Sequence, residues 1–174
     1  MKKILIIIVI LLLITGCSIF TPSKVEEKNF TLEGYGSFTI SDNYMIREDH
    51  STKDKPFFVD KKDEHSSRPN NISVNGGTNY YSIDQELDFK NAIMIQMAMQ
   101  AKALNATLTS SGSTTTNGYP LLRFNMEGKD QKAIQYYIMG DHKYVMIYAT
   151  IFEFDDEDSV IEAAEYIANS FVWE

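Results

Sequence analysis

Residues 144–152 are apolar on both alternating sets, with Tyr144, Met146, Tyr148 and Phe152 on one side and Val145, Ile147, Ala149 and Ile151 on the other. Side chains along a strand alternate between two faces, so a strand of this composition has to be covered on both. Three other strand-like runs precede it, at residues 106–116, 121–126 and 133–139. They are separated by Asn117-Gly118, Gly128-Lys129-Asp130 and Gly140-Asp141-His142-Lys143. Asn-Gly is the strongest of these turn signals because both residues tolerate positive φ. Strands joined by turns this short pair antiparallel, so a four-strand meander is expected, its last strand lying inside a layered core.

Two helices are available to supply the layers. Ser82 is placed to cap the first, with Gln85 at capping-box spacing and Asp84 and Glu86 in the turn where the helix dipole favours acids. The pattern predicts a helix over residues 83–104 whose core stripe is Ile83, Leu87, Met94, Met97, Ala98, Ala101 and Leu104. Ala92, Ile95 and Met99 fall roughly opposite, where the core does not reach. Together with the preceding Tyr80 and Tyr81, Ile95 and Met99 form a candidate interaction surface, since tyrosine rings serve both apolar and polar contacts at interfaces. The second helix starts in Asp155-Asp156-Glu157-Asp158 and carries Val160, Ala164, Ile167 and Phe171 at three- and four-residue spacing. Its acids lack the spaced ligands, central Gly and terminal Glu of a calcium loop, and suit a helix N-terminus. One helix should lie on each face of the sheet. The expected fold class is therefore α+β: a three-layer α/β/α sandwich with a mainly antiparallel sheet. Shorter strands are expected near residues 30–33, 37–40, 44–48, 56–60 and 71–75, with polar loops at 50–55 and 61–71.

The N-terminus carries an address. Met1-Lys2-Lys3 precedes an aliphatic run over residues 4–14, then Thr15-Gly16-Cys17. This is the layout of a secretory signal, and the run is short against the roughly 20 residues of a membrane-spanning helix. It resembles the bacterial lipobox. That resemblance implies cleavage between Gly16 and Cys17 and lipidation of the Cys17 thiol, so that Cys17 becomes an acylated, palmitate-bearing N-terminus. The expected organisation is a signal peptide at 1–16, a lipidated Cys and flexible tether at 17–29, and one domain at 30–174.

The order of the predicted elements also carries a resemblance. A short N-terminal strand group, one long helix, a four-strand meander and a terminal helix closing on Ile167-Ala168-Asn169-Ser170-Phe171, with the patches Phe38-Thr39-Ile40 and Phe58-Val59-Asp60, are similar to the PsbP-related domain of bacterial DcrB-like lipoproteins. What this resemblance implies is a non-enzymatic three-layer domain, covering about residues 30–174.

Several function classes find no support in the sequence. The formal net charge of −8 gives no general attraction to nucleic acid or anionic headgroups, and Lys2 and Lys3 would leave with the signal. Cys17 is the only cysteine, so once acylated it leaves no thiol for a disulfide, a metal site or catalysis. His50, His65 and His142 stand apart in polar loops and a turn, and no metal site or cofactor is called for. No Gly-x-Ser-x-Gly elbow occurs. The reading is a lipid-anchored extracytoplasmic binding or accessory protein of the cell envelope. Its partners are the membrane, through Cys17, and an envelope protein, wall polymer or small ligand. The alternative is a hydrolase using carboxylates such as Asp60, Glu64 or Glu127, brought together by the fold.

Overall fold

The computed structural model describes residues 26–174. The signal peptide, Cys17 and most of the expected tether lie outside the described residues. The tether was expected to run to Asn29, but strand β1 (Glu27–Leu32) already begins at Glu27. Glu27, Lys28 and Asn29 pair with Ser41, Ile40 and Thr39 of β2 (Gly36–Ser41), so backbone pairing extends the domain into residues whose side chains show no period.

Then follow β3 (Tyr44–Ile46), β4 (Phe57–Asp60), β5 (Asn71–Thr78), helix α1 (Glu86–Leu104), β6 (Thr107–Thr114), β7 (Pro120–Glu127), β8 (Lys132–Gly140), β9 (Lys143–Ile151), helix α2 (Glu157–Ser170) and β10 (Val172–Trp173). The meander is present as expected. β6, β7, β8 and β9 pair consecutively and antiparallel, and β9 continues the sheet through β5 to β4 and β3, giving seven strands in the order β3-β4-β5-β9-β8-β7-β6. β9 is thus interior to the sheet. Val145, Ile147, Ala149 and Ile151 are wholly buried on one face, while Tyr144, Met146 and Tyr148 are half-buried on the other.

The two faces are filled by different elements. On the first, α2 lays Val160, Ala164, Ile167 and Ala168 against Ile134, Tyr136, Ile147 and Ala149, with Phe171 joining at its end. Burying Val160, Ile167 or Phe171 stabilises by about 1.5–3 kcal/mol each. The same face is shared by a second, three-stranded sheet, β1-β2-β10, that the sequence did not announce. Its Phe38 and Ile40 are buried in the same cluster, and Phe30, Phe38 and Phe58 form an aromatic triad with ring centroids 5.0–6.1 Å apart. The opposite face is covered by α1, through Phe89, Ile93 and Met97 against Leu122, Phe124, Tyr137 and Met139. The layers are therefore α/β/α, with the small sheet supplementing one helix layer.

The junctions have local causes. Asn105 takes a left-handed conformation (φ 51°) and closes α1, while His142 (φ 56°) makes the tight β8–β9 turn. Asn70, 2 % exposed, accepts from the Phe152 and Glu153 N–H groups (2.7 and 2.9 Å) and donates to the Glu153 carbonyl (2.9 Å). Those three bonds satisfy the backbone as the chain leaves β9 for α2.

Candidate docking surface

Helix α1 starts later than expected and is rotated from the expected stripe. Residues Ile83–Gln85 form a 3-10 turn, and the α-helix begins at Glu86. The Ser82 N–H donates to Gln85 Oε1 (3.1 Å), the reciprocal bond of a capping box. The buried residues are Phe89, Ile93, Met97 and Ala101. Ile83, Leu87, Ala98 and Leu104, assigned to the core stripe by spacing, are exposed. The physical reason is that α1 is apolar nearly all round, so periodicity does not choose a face. Phe89 decides it by inserting among Tyr81, Tyr137 and Tyr144, with ring centroids 5.7–6.0 Å away.

Among the described residues nine large hydrophobics are substantially exposed, and six of them, Tyr80, Ile83, Leu87, Ile95, Met99 and Leu104, sit on α1 or the segment leading into it. Ile95 is 65 % exposed, Met99 63 % and Tyr80 96 %. Tyr81 does not belong with them. Its ring packs in the core cluster beside Phe89, its N–H donates to Asn79 Oδ1 (2.7 Å) and its carbonyl accepts from the His142 N–H (3.0 Å). The segment turns Tyr80 outward and Tyr81 inward, a distinction that adjacent tyrosines in a sequence do not reveal.

Comparison with solved structures shows how widely this architecture is used. The chain superposes on cyanobacterial PsbP (CyanoP) from Synechocystis with a TM-score of 0.53 at 12 % identity, covering 88 % of this chain and 96 % of that one. The fold is PsbP-like. It is also similar to the Ran-binding protein Mog1p of Saccharomyces cerevisiae (TM-score 0.57, 10 % identity, 85 % of this chain and 95 % of that one). LpqN of Mycobacterium tuberculosis, which is involved in cell envelope biogenesis, gives 0.54 at 12 % identity, covering 86 % and 91 %. Residues 1–18 match the family model of the prokaryotic membrane lipoprotein lipid attachment site. No curated protein sequence matches the chain. The chain thus joins a PsbP-like fold to an N-terminal match to a lipoprotein lipid attachment site.

Two clefts on the PsbP-like domain carry polar side chains. A cleft of about 340 Å³ between β1, β2 and α2 is lined by Glu27, Tyr44, Ser159, Glu162 and Tyr166. Burial pushes the Tyr44 phenol up to about 12, and its hydroxyl donates to the Ser159 carbonyl (3.3 Å). A second cleft of about 240 Å³ contains Arg123, Tyr136 and Glu165, a cluster that sequence reading missed because its members come from β7, β8 and α2. Glu165 Oε1 accepts from Arg123 Nη1 (2.7 Å) and from the Tyr136 hydroxyl (3.1 Å). Burial, chiefly, raises the Tyr136 phenol.

Of the carboxylates considered for hydrolysis, Asp60 and Glu127 lie far apart. Asp60 ends β4 and Glu127 ends β7, four strand spacings away, or about 19 Å at the usual interval. Asp60 Oδ1 accepts from the Lys62 N–H (2.9 Å), and Glu64 lies beyond that turn, exposed. Lys62 instead ties the turn to the start of α2 through Asp156 (2.7 Å). His50, His65 and His142 are exposed on separate loops. Among the described residues no helix is long and apolar enough to cross a membrane.

Proposed function

We propose that this lipoprotein is a non-enzymatic accessory module of the cell envelope, held outside the cytoplasm by lipid on Cys17, that works by protein–protein contact through the outer face of α1. One observation carries the reading: most of the exposed large hydrophobics of the described domain gather on α1 and its lead-in. Scattered exposed apolar groups are ordinary on soluble domains, whereas Ile95 and Met99 adjoin one turn apart on the outer face of α1, and apolar side chains grouped in this way suit a contact surface. Methionine at its centre suits such a role because its flexible thioether adapts to a partner's shape. The fold itself leaves function open, since one fold hosts many unrelated functions. That it serves as a Ran-binding protein in yeast and in envelope biogenesis in Mycobacterium shows the scaffold accommodating different roles.

The test places a photo-crosslinking side chain at Ile95 in the full-length lipoprotein in intact cells, with Lys129 as the control position. A discrete protein adduct from position 95, absent at 129 and lost with Met99→Ser, is expected. Equal, diffuse labelling at both positions would refute the docking reading.

A further inference from the structure

The outer face of α1 has an internal symmetry that says what it fits. Asp88, Ala92, Ile95, Met99 and Lys102 follow one another at four- and three-residue spacing, the seam of a two-helix pair. Asp88 lies seven residues before Ile95 and Lys102 seven after it. Seven residues are close to two helical turns, so all three sit on nearly the same line of the helix surface. If a second α1 is laid antiparallel across the first with Ile95 on the two-fold axis, each Asp88 meets the other copy's Lys102. Each Met99 then meets the other copy's Ala92, and each Ala98 meets its Asn91.

Resting on the reading of this face as a docking surface, we infer that its occupant is a second copy of this chain, paired as an antiparallel α1–α1 dimer centred on Ile95. A two-fold interface has to be self-complementary, and this one is in both charge and size. Asp88 and Lys102 are exposed, and among the described residues neither makes an ion pair within its own chain. Ala92, Ala98 and Ala103 are small enough to let two backbones approach. The antiparallel arrangement also sets each helix N-terminus, with Asp88 in its first turn, beside the other helix's C-terminus, with Lys102 in its last, so the macrodipoles attract.

The contact is modest in extent. α1 is about 28 Å long by its rise per residue, and one helix face falls short of the roughly 800 Å² per partner of a stable soluble dimer. Anchoring both copies in one membrane raises their effective concentration, so a contact that is weak in solution becomes populated there.

The test is made on the full-length lipoprotein in its native membrane. Ile95→Cys should form a disulfide-linked dimer under mild oxidation at least about tenfold faster than Lys129→Cys, with the parent chain, whose only cysteine is Cys17, as the blank. Asp88→Lys or Lys102→Asp, each combined with Ile95→Cys, should lower the dimer yield about tenfold by opposing like charges, and the two together should restore it. Cross-linking at 95 no faster than at 129, or a double charge swap that fails to restore the yield, would overturn the inference. An adduct from position 95 to a different envelope protein, without the homodimer, would also overturn it while leaving the docking face in place. No adduct of either kind removes both readings.

Discussion

The Trp173 indole occupies the space that a side chain on Gly140 would need: an ideal Cβ there would stand 2.9 Å from Trp173 Cζ2. Trp173 belongs to β10 and pairs with Gly36 of the small sheet, whereas Gly140 ends β8 of the large one, so this contact locks the two sheets together at the C-terminus. Phe171 packs edge-on at 4.8 Å, and Lys143 Nζ lies 4.7 Å from the ring centroid. Gly140→Ala should force the indole outward and destabilise the domain by about 1–3 kcal/mol, as overpacking does. Trp173 is the chain's only tryptophan, so its fluorescence reports the displacement directly. An unchanged urea midpoint with an unchanged emission maximum would show that the space is not needed.

Acid should loosen the small sheet through Asp42. Its carboxylate accepts from Lys28 (2.5 Å) and Lys61 (2.8 Å), and these two ammonium groups hold it at about 2, down from 3.8. Because the folded value lies below the unfolded one, the contribution is complete above about pH 4 and is lost as the pH falls through about 2. Asp42→Asn should therefore lower the melting temperature at pH 5 and converge with the parent near pH 2. Added salt should shrink the difference, since both partners are accessible to solvent. A constant offset across that range would mean the carboxylate's charge is not what matters.

Ile147 tests the layering. It is 0 % exposed on β9, directly across from Val74 and Tyr136 on the neighbouring strands. Ile147→Asp places a charge there without a partner and should destabilise by several kcal/mol, enough to abolish the cooperative melt. Retention of the parental melting temperature would place this face in solvent and dismantle the three-layer description.

The anchor is tested at Cys17, within the matched lipid attachment site. Cys17→Ala should abolish incorporation of labelled palmitate and leave the unprocessed precursor. A variant that still carries label would move lipidation to another residue.

How much of this could be read without coordinates differs by element. The meander and α2 were legible because each has one preferred arrangement: the turn sequences set the hairpins, and only one stripe of α2 is apolar. The doubly apolar β9 likewise required two covering layers. The face of α1 was not legible. With Leu87, Ile95 and Met99 competing against Phe89, Ile93 and Met97, the period fits either rotation, and the choice rests on which stripe meets Tyr137 and Tyr144 on β8 and β9. The outward position of Ile95 and Met99 did follow from the sequence, while the inward turn of Tyr81 did not, because it depends on bonds to Asn79 and His142. β10 was likewise invisible: its two residues have no pattern of their own and become a strand only where β2 offers an edge. The amino-acid order thus determined the address, the number of layers and the hairpins, all governed by local chemistry and periodicity. Which face of α1 remained open, and with it the candidate docking surface, was decided by packing between residues distant in the chain, where shape and not period selects the partner.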